Sequence, residues 1–229
     1  STLSSSSAAS DVYKRQTMGS GNIVYQNAVI GATPQDFHYV EGTSTKVVIG
    51  NDNRIRENVV IAGSTYLDKA TIIGDSNFIM DRVHICHDVH IFNKCVVGIG
   101  ACIAGECEIH DCSIQSTGVV VQQHVRVGRY SLIQSGCRVQ KDVPPYVILG
   151  GNPASYHGVN AVVLKHVNKT DRIIRHIANT YRIIYTGNFS LEDAVLKIPE
   201  QIPMSEEIED ILEFVRGAKH GIVRHMEED

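Results

Sequence analysis

The sequence predicts an all-β parallel β-helix of hexapeptide repeats followed by a C-terminal α-helical domain, on three observations. Aliphatic side chains recur every six residues at Ile73, Ile79, Ile85, Ile91, Val97, Ile103, Ile109, Val121, Val127, Ile133 and Val139, broken once by Gln115. The position four after the beat is small or branched: Val83, Val89, Cys95, Ala101, Cys107, Ser113, Val119, Val125, Ser131 and Cys137. Past Val139 the period stops and a helical spacing takes over. A period of six fits neither a helix nor a lone strand. It fits a solenoid in which each hexad is one short strand and a turn, and three hexads close a triangular coil. The twelve hexads from Ile73 to Val139 supply four such coils.

The elements then follow in order. Ser1–Ala9 is low-complexity, and Ser10–Gln16 has neither repeat register nor the apolar core of a signal peptide, so residues 1–17 are expected to be a non-native or disordered tail. Residues 18–148 are assigned to the β-helix. Ile23 and Val29 begin one coil, and Ile49, Ile55 and Ile61 make the next. Because the beat already runs at Ile23, further coils are expected upstream in the natural protein. Two interruptions, at about Ala32–Lys46 and Gly63–Thr71, are expected to bulge from the prism as functional loops. The beat ends at Asp142-Val-Pro-Pro-Tyr146, where two prolines cannot donate to a ladder. Residues 149–229 are assigned to a helical domain. Thr170 caps a helix whose apolar face is Ile173, Ile174, Ile177, Tyr181 and Ile184, with Gly187 as its stop. Ser190 with Asp193 starts a second helix, and Ser205 caps a third carrying Ile208, Ile211, Leu212 and Val215.

Composition narrows the function. The net charge of −4 and the lack of a Lys/Arg block argue against nucleic acid, which needs a basic footprint. No apolar run approaches the roughly 18–20 residues that span a bilayer, so a soluble, cytoplasmic protein is expected. The six cysteines show no metal-ligand spacing, and Cys95, Cys107 and Cys137 fall on the small inward position as reduced core residues.

Chemistry on a β-helix must use outward or turn positions, and stacking brings residues eighteen apart to about 4.8 Å. His84-Ile-Cys-His-Asp88 is the densest polar group in the repeat. His87 stacks under Gly105, Gln123 and Lys141; Asp88 stacks under Glu106, His124 and Asp142. A histidine there suits a general base, and the bare glycine N–H one rung away suits a developing oxyanion. Three acids stand in the second column, and Asp88 and Glu106 are expected to draw His124 towards charge. On spacing alone, solvated turn residues and a histidine-bound zinc remain alternatives.

At this point the chain resembles a known family. Pro34-Gln-Asp-Phe-His-Tyr39, Ile49-Gly-Asn-Asp-Asn-Arg-Ile-Arg-Glu57, Val83-His-Ile-Cys-His-Asp88, Ile103-Ala-Gly105, Asp142-Val-Pro-Pro-Tyr146 and Gly151-Asn-Pro-Ala154 are similar to motifs of the acyl-carrier-protein-dependent UDP-N-acetylglucosamine O-acyltransferases of lipid A biosynthesis. The resemblance implies a homotrimer of left-handed parallel β-helices with active sites between subunits. It implies transfer of a hydroxyacyl chain from the phosphopantetheine thioester of acyl-carrier protein to the 3-hydroxyl of a UDP-sugar, with no metal or other cofactor. His87 matches the family's base, Gly105 its oxyanion glycine, and Asp88 the residue that orients the base. Gln35 and Asp36 belong to the motif that contacts the sugar, and His84, Gln123 and Asn160 match other cleft positions.

Several positions depart from the family. His38 replaces a lysine, Glu106 replaces the histidine after the oxyanion glycine, and Gln122 replaces a further cleft histidine. A glutamate and paired arginines that face the nucleotide become Val162, His166 and Val167, and an HRGT sequence becomes Ala62-Gly-Ser-Thr65. Fewer charges weaken a conventional UDP contact. Two alternatives therefore stand beside the lipid A reading: a paralogous acyl- or acetyltransferase for a different nucleotide sugar, and a non-catalytic binding trimer. Lys165, Lys169, Arg172, Arg175 and Arg182 are either a docking face for an acidic carrier protein or an ordinary solvated helix face.

Overall fold

The computed structural model describes residues 14–187 and 189–224, with strands numbered β1 to β20 and helices α1 to α4 in chain order. Three sheets form the faces of a triangular prism. The first holds β1 (Lys14–Met18), β4 (Thr45–Ile49), β7 (Thr71–Ile73), β10 (His90–Ile91), β13 (Glu108–Ile109) and β16 (Arg126–Val127). The second holds β2 (Ile23–Val24), β5 (Arg54–Ile55), β8 (Phe78–Ile79), β11 (Val96–Val97), β14 (Ile114–Gln115), β17 (Leu132–Ile133), β19 (Val147–Gly150) and β20 (Ser155–Val159). The third holds β3 (Val29–Ala32), β6 (Val60–Ala62), β9 (His84–Ile85), β12 (Cys102–Ile103), β15 (Val120–Val121) and β18 (Arg138–Val139).

Each beat residue from Ile73 to Val139 ends a short strand and is buried, Gln115 included, and so is each small residue from Val83 to Cys137. His84 pairs with Cys102 and Ile85 with Ile103, so one coil is eighteen residues. The third residue after the beat turns the corner with positive φ at Arg82, Asp88, Lys94, Glu106, Cys112, His124 and Tyr130. That conformation disfavours side chains by roughly 1–2 kcal/mol. A hydrogen bond from the same residue to the coil below offsets it: the Glu106 N–H donates to His87 O (3.0 Å) and the His124 N–H to Gly105 O (3.1 Å).

At the corner between the first and second sheets, a ladder of amide and carboxylate side chains accepts backbone N–H groups. Ser20 donates to Asn51 Oδ1 (2.9 Å), Asn51 to Asp75 Oδ1 (2.6 Å), Asp75 to Asn93 Oδ1 (2.8 Å) and Asn93 to Asp111 Oδ1 (2.8 Å). At the corner between the third and first sheets, the chain leaves the prism twice, after β3 and after β6. His87, Gly105 and Gln123 sit on that same corner, so both loops emerge below the site.

The ends correct two boundaries. Lys14–Met18 pairs in parallel with Thr45–Ile49, so the first sheet begins inside the segment expected to be a tail. The rest of that expectation, residues 1–13, lies outside the described residues. At the other end β19 continues the second sheet beside β17 and β20 returns antiparallel, so sheet persists to Val159 before any helix. A short α1 (Ala161–His166) precedes the three expected helices, α2 (Asp171–Thr186), α3 (Leu191–Gln201) and α4 (Glu206–Arg216). Thr170 Oγ1 accepts the Ile173 N–H (3.3 Å), and Ser190 Oγ accepts the Asp193 N–H (3.0 Å) while donating to Asp193 Oδ2 (2.7 Å). Ser205 instead donates to Glu207 Oε2 (2.8 Å). The helices dock on the final turn: the Tyr181 hydroxyl donates to Pro145 O (2.5 Å), and Arg126 joins Asp142 (2.9 Å) to Phe214 O (2.9 Å).

Candidate active site

His87 follows β9 and is 6% exposed, because the coil above and both loops close over it. Its Nδ1 lies 3.0 Å from Asp88 Oδ2, and its Nε2 lies 3.5 Å from Asp36 Oδ2 on the first loop. The left-handed corner conformation of Asp88 turns its carboxylate back onto the imidazole. Its N–H donates to Thr71 Oγ1 (2.9 Å), which fixes the turn. The His87 ring lies against Gly105 so closely that a Cβ there would collide with it. Among the described residues the Gly105 N–H has no hydrogen-bond partner.

The two loops complete the site with contacts that no period in the sequence announces. Thr65 donates its N–H to Asp88 Oδ2 (3.0 Å) and its hydroxyl to Asp36 Oδ2 (3.3 Å). Lys69 Nζ reaches Glu106 Oε2 (2.7 Å) and lies over the Tyr66 ring. Both residues were missed. A retained threonine where the family's HRGT sequence is otherwise lost was the one available signal.

The expected residues divide into those brought together and those kept apart. Asp36, Asp88, His87, Gly105 and Glu106 meet at one corner. His38 is largely exposed and binds Asp36 Oδ1 through its N–H and Nδ1 (3.0 Å each). The His38 N–H is the main reason that the Asp36 carboxyl is held below its usual range. The column expected to contain three acids is altered. Glu106 faces His124 at 3.8 Å, but Lys69 is closer to it and lowers its pKa, and Asp88 is engaged by His87 and Thr65. Asp142 leaves the column for Arg126, because the Pro144-Pro145 turn redirects the chain. His84 sits outward on β9, with its pKa lowered by burial. Gln35, Gln122 and Gln123 are exposed near the corner. Asn160 is buried away from it and donates to Tyr130 O (2.9 Å); Val162 and His166 are exposed on α1, and Val167 ends that helix. Among the described residues no group of three or more His, Cys, Asp or Glu side chains has metal-holding geometry.

The family described as UDP N-acetylglucosamine O-acyltransferase, domain 2, matches residues 142–223. The acyl-[acyl-carrier-protein]–UDP-N-acetylglucosamine O-acyltransferase of Nautilia profundicola is 35% identical over 207 residues, spanning 90% of this chain and 79% of that protein. Its counterpart in Burkholderia orbicola is 34% identical over 212 residues, 90% of this chain and 80% of that one. The crystal structure of a UDP-N-acetylglucosamine acyltransferase from Bacteroides fragilis superimposes with a TM-score of 0.89 at 42% identity, covering 92% of this chain and 82% of that one. Coils, corner and helical cap thus define a left-handed β-helix acyltransferase. Within that class, the chain belongs to the acyl-[acyl-carrier-protein]–UDP-N-acetylglucosamine O-acyltransferase family.

Proposed function

We propose that the chain transfers a 3-hydroxyacyl group from acyl-carrier protein to the 3-hydroxyl of UDP-N-acetylglucosamine, the first step of lipid A biosynthesis. The observation that carries this reading is His87, buried between two carboxylates with its ring against Gly105. Nδ1 carries its proton towards Asp88, which leaves Nε2 as the basic nitrogen. Nε2 takes the proton of the sugar hydroxyl as the oxygen attacks the thioester carbon. The unpaired Gly105 N–H meets the oxyanion, and an amide placed there acts without reorganising. Collapse of the tetrahedral intermediate expels the pantetheine thiolate, which receives the proton back from His87.

The assembly belongs to the same proposal: a cytoplasmic homotrimer in which a neighbouring subunit closes the corner. Phe37, Val40 and Leu67, exposed apolar side chains on the two loops, support it. A different nucleotide sugar as acceptor is the second reading, favoured by exposed Val162 and His166 on α1 where the resemblance leads one to expect charged groups.

The test is free-thiol release from a hydroxyacyl-carrier-protein thioester, with and without UDP-N-acetylglucosamine, for the wild type and His87→Ala. Sugar-dependent release that the substitution abolishes is expected. A folded wild type that releases nothing with this sugar overturns the acceptor, and an active His87→Ala overturns the base.

A further inference from the structure

Thr65 stands between the two carboxylates that flank His87, and it touches the same oxygen of each that faces the ring. The two ring contacts differ. Asp88 Oδ2 at 3.0 Å from Nδ1 is a hydrogen bond, whereas Asp36 Oδ2 at 3.5 Å from Nε2 lies beyond the usual 2.7–3.2 Å range for nitrogen donors. The Thr65 hydroxyl contact, at 3.3 Å, is also longer than the roughly 2.5–3.0 Å usual for a hydroxyl donor but is the nearer partner of Asp36 Oδ2, and Nε2 becomes a second donor to that oxygen only when the ring is protonated. That hydroxyl is fixed in place. Thr65 is 3% exposed, and its loop is tied at three points: Lys46 N–H to Ser64 Oγ (3.1 Å), Lys46 Nζ to Leu67 O (2.6 Å) and Lys69 Nζ to Glu106 (2.7 Å).

We propose that the Thr65 hydroxyl is a positioning group for the base: it holds the Asp36 carboxylate off His87 Nε2 and keeps open the nitrogen that takes the acceptor's proton. The inference rests on the reading of His87 as that base. The charges around the ring come from every element packed against it. They are Asp88 on its own turn, Asp36 from the first loop, Glu106 from the next coil, and Lys69 from the second loop, which matches Glu106. His38 binds Asp36 through the other oxygen, Oδ1, and leaves Oδ2 to Thr65. Without the hydroxyl, Oδ2 loses its nearer donor and its best remaining partner is a protonated imidazole. It then closes on Nε2, favouring the charged ring and covering the nitrogen the reaction needs.

The experiment compares wild type, Thr65→Val, Thr65→Ala, Thr65→Ser and a Thr65→Val/Asp36→Asn double variant, each checked for folding by circular dichroism. His87 is titrated by NMR in histidine-labelled protein without substrates, its signal assigned by its loss in His87→Ala. The pH profile of kcat/KM is measured beside it. In Thr65→Val and Thr65→Ala the His87 midpoint is expected to rise by about one unit, a tenfold change in proton affinity. The acidic limb of kcat/KM moves with it, so the loss is about tenfold at acidic pH and recovers at alkaline pH. Thr65→Ser restores both, and the double variant, which lacks the carboxylate, shows no rise in the midpoint. A midpoint that stays put in folded Thr65→Val and Thr65→Ala overturns the proposal, as does a rate loss equal at all pH or a serine variant that behaves like valine. Because the titration needs no turnover, an inactive wild type overturns the functional reading while the titration still decides the role of Thr65.

Discussion

Gln115 occupies an inward position in a column of aliphatic side chains, and it is fully buried there. Its Nε2 donates to Ser113 Oγ (3.1 Å), but its Oε1 is buried with no partner among the described residues. A buried acceptor left unpaired costs about 1–3 kcal/mol. Gln115→Leu, close in volume and free of polar atoms, is expected to stabilise the protein by about 1–2 kcal/mol. A higher urea midpoint at unchanged m-value checks it, and a lower midpoint would mean that the oxygen is satisfied. The same scale shows what could be read from the sequence. His87 over Gly105 and Glu106 beside His124 follow from counting eighteen residues. Thr65 on Asp36 and Lys69 on Glu106 join positions 29 and 37 residues apart, neither separation a multiple of the coil. Such contacts depend on loop paths, which carry no periodic trace.

The helices of the cap were legible where capping and spacing agree, as at Thr170 and Ser190. The hairpin of β19 and β20 and the six-residue α1 were not, because each is too short to show a period and the Pro153 turn interrupts the run between the two strands. Ion pairing sorts the basic residues of this region. Lys169 is bound to Glu207 (2.5 Å) and Lys165 lies 3.6 Å from Asp171, whereas Arg172, Arg175 and Arg182 are exposed along α2. Reversing charge at Arg172 and Arg175 is expected to raise the apparent KM for acyl-carrier protein several-fold, most at low salt, with kcat nearly unchanged, since exposed charges act mainly on encounter. Steady-state rates against carrier-protein concentration at two ionic strengths measure this. A constant KM would remove these arginines from the docking face.

For the whole molecule, the prism was legible because every coil repeats the same burial, so a local pattern reports the global fold. Its ends were not, since both escape the repeat. The single chain presents a polar corner beside exposed Phe37, Val40 and Leu67. Light scattering is expected to give about three times the 25.2 kDa chain mass, and Phe37→Asp with Leu67→Asp should lower it. A monomer at micromolar concentration would remove the shared cleft from the mechanism. The ladder from Ser20 to Asp111 bears on how such a prism grows. At each rung the N–H belongs to the earlier coil and the oxygen to the later one. The neighbouring column on the same corner runs the other way: the Asn53 N–H donates to Asn22 Oδ1 (2.9 Å), the Asn77 N–H to Asn53 Oδ1 (2.8 Å) and the Cys95 N–H to Asn77 Oδ1 (2.8 Å), each from the later coil to the earlier one. The two columns are thus stitched in opposite directions, and either end of a stretch of prism offers the next turn of chain both a donor and an acceptor.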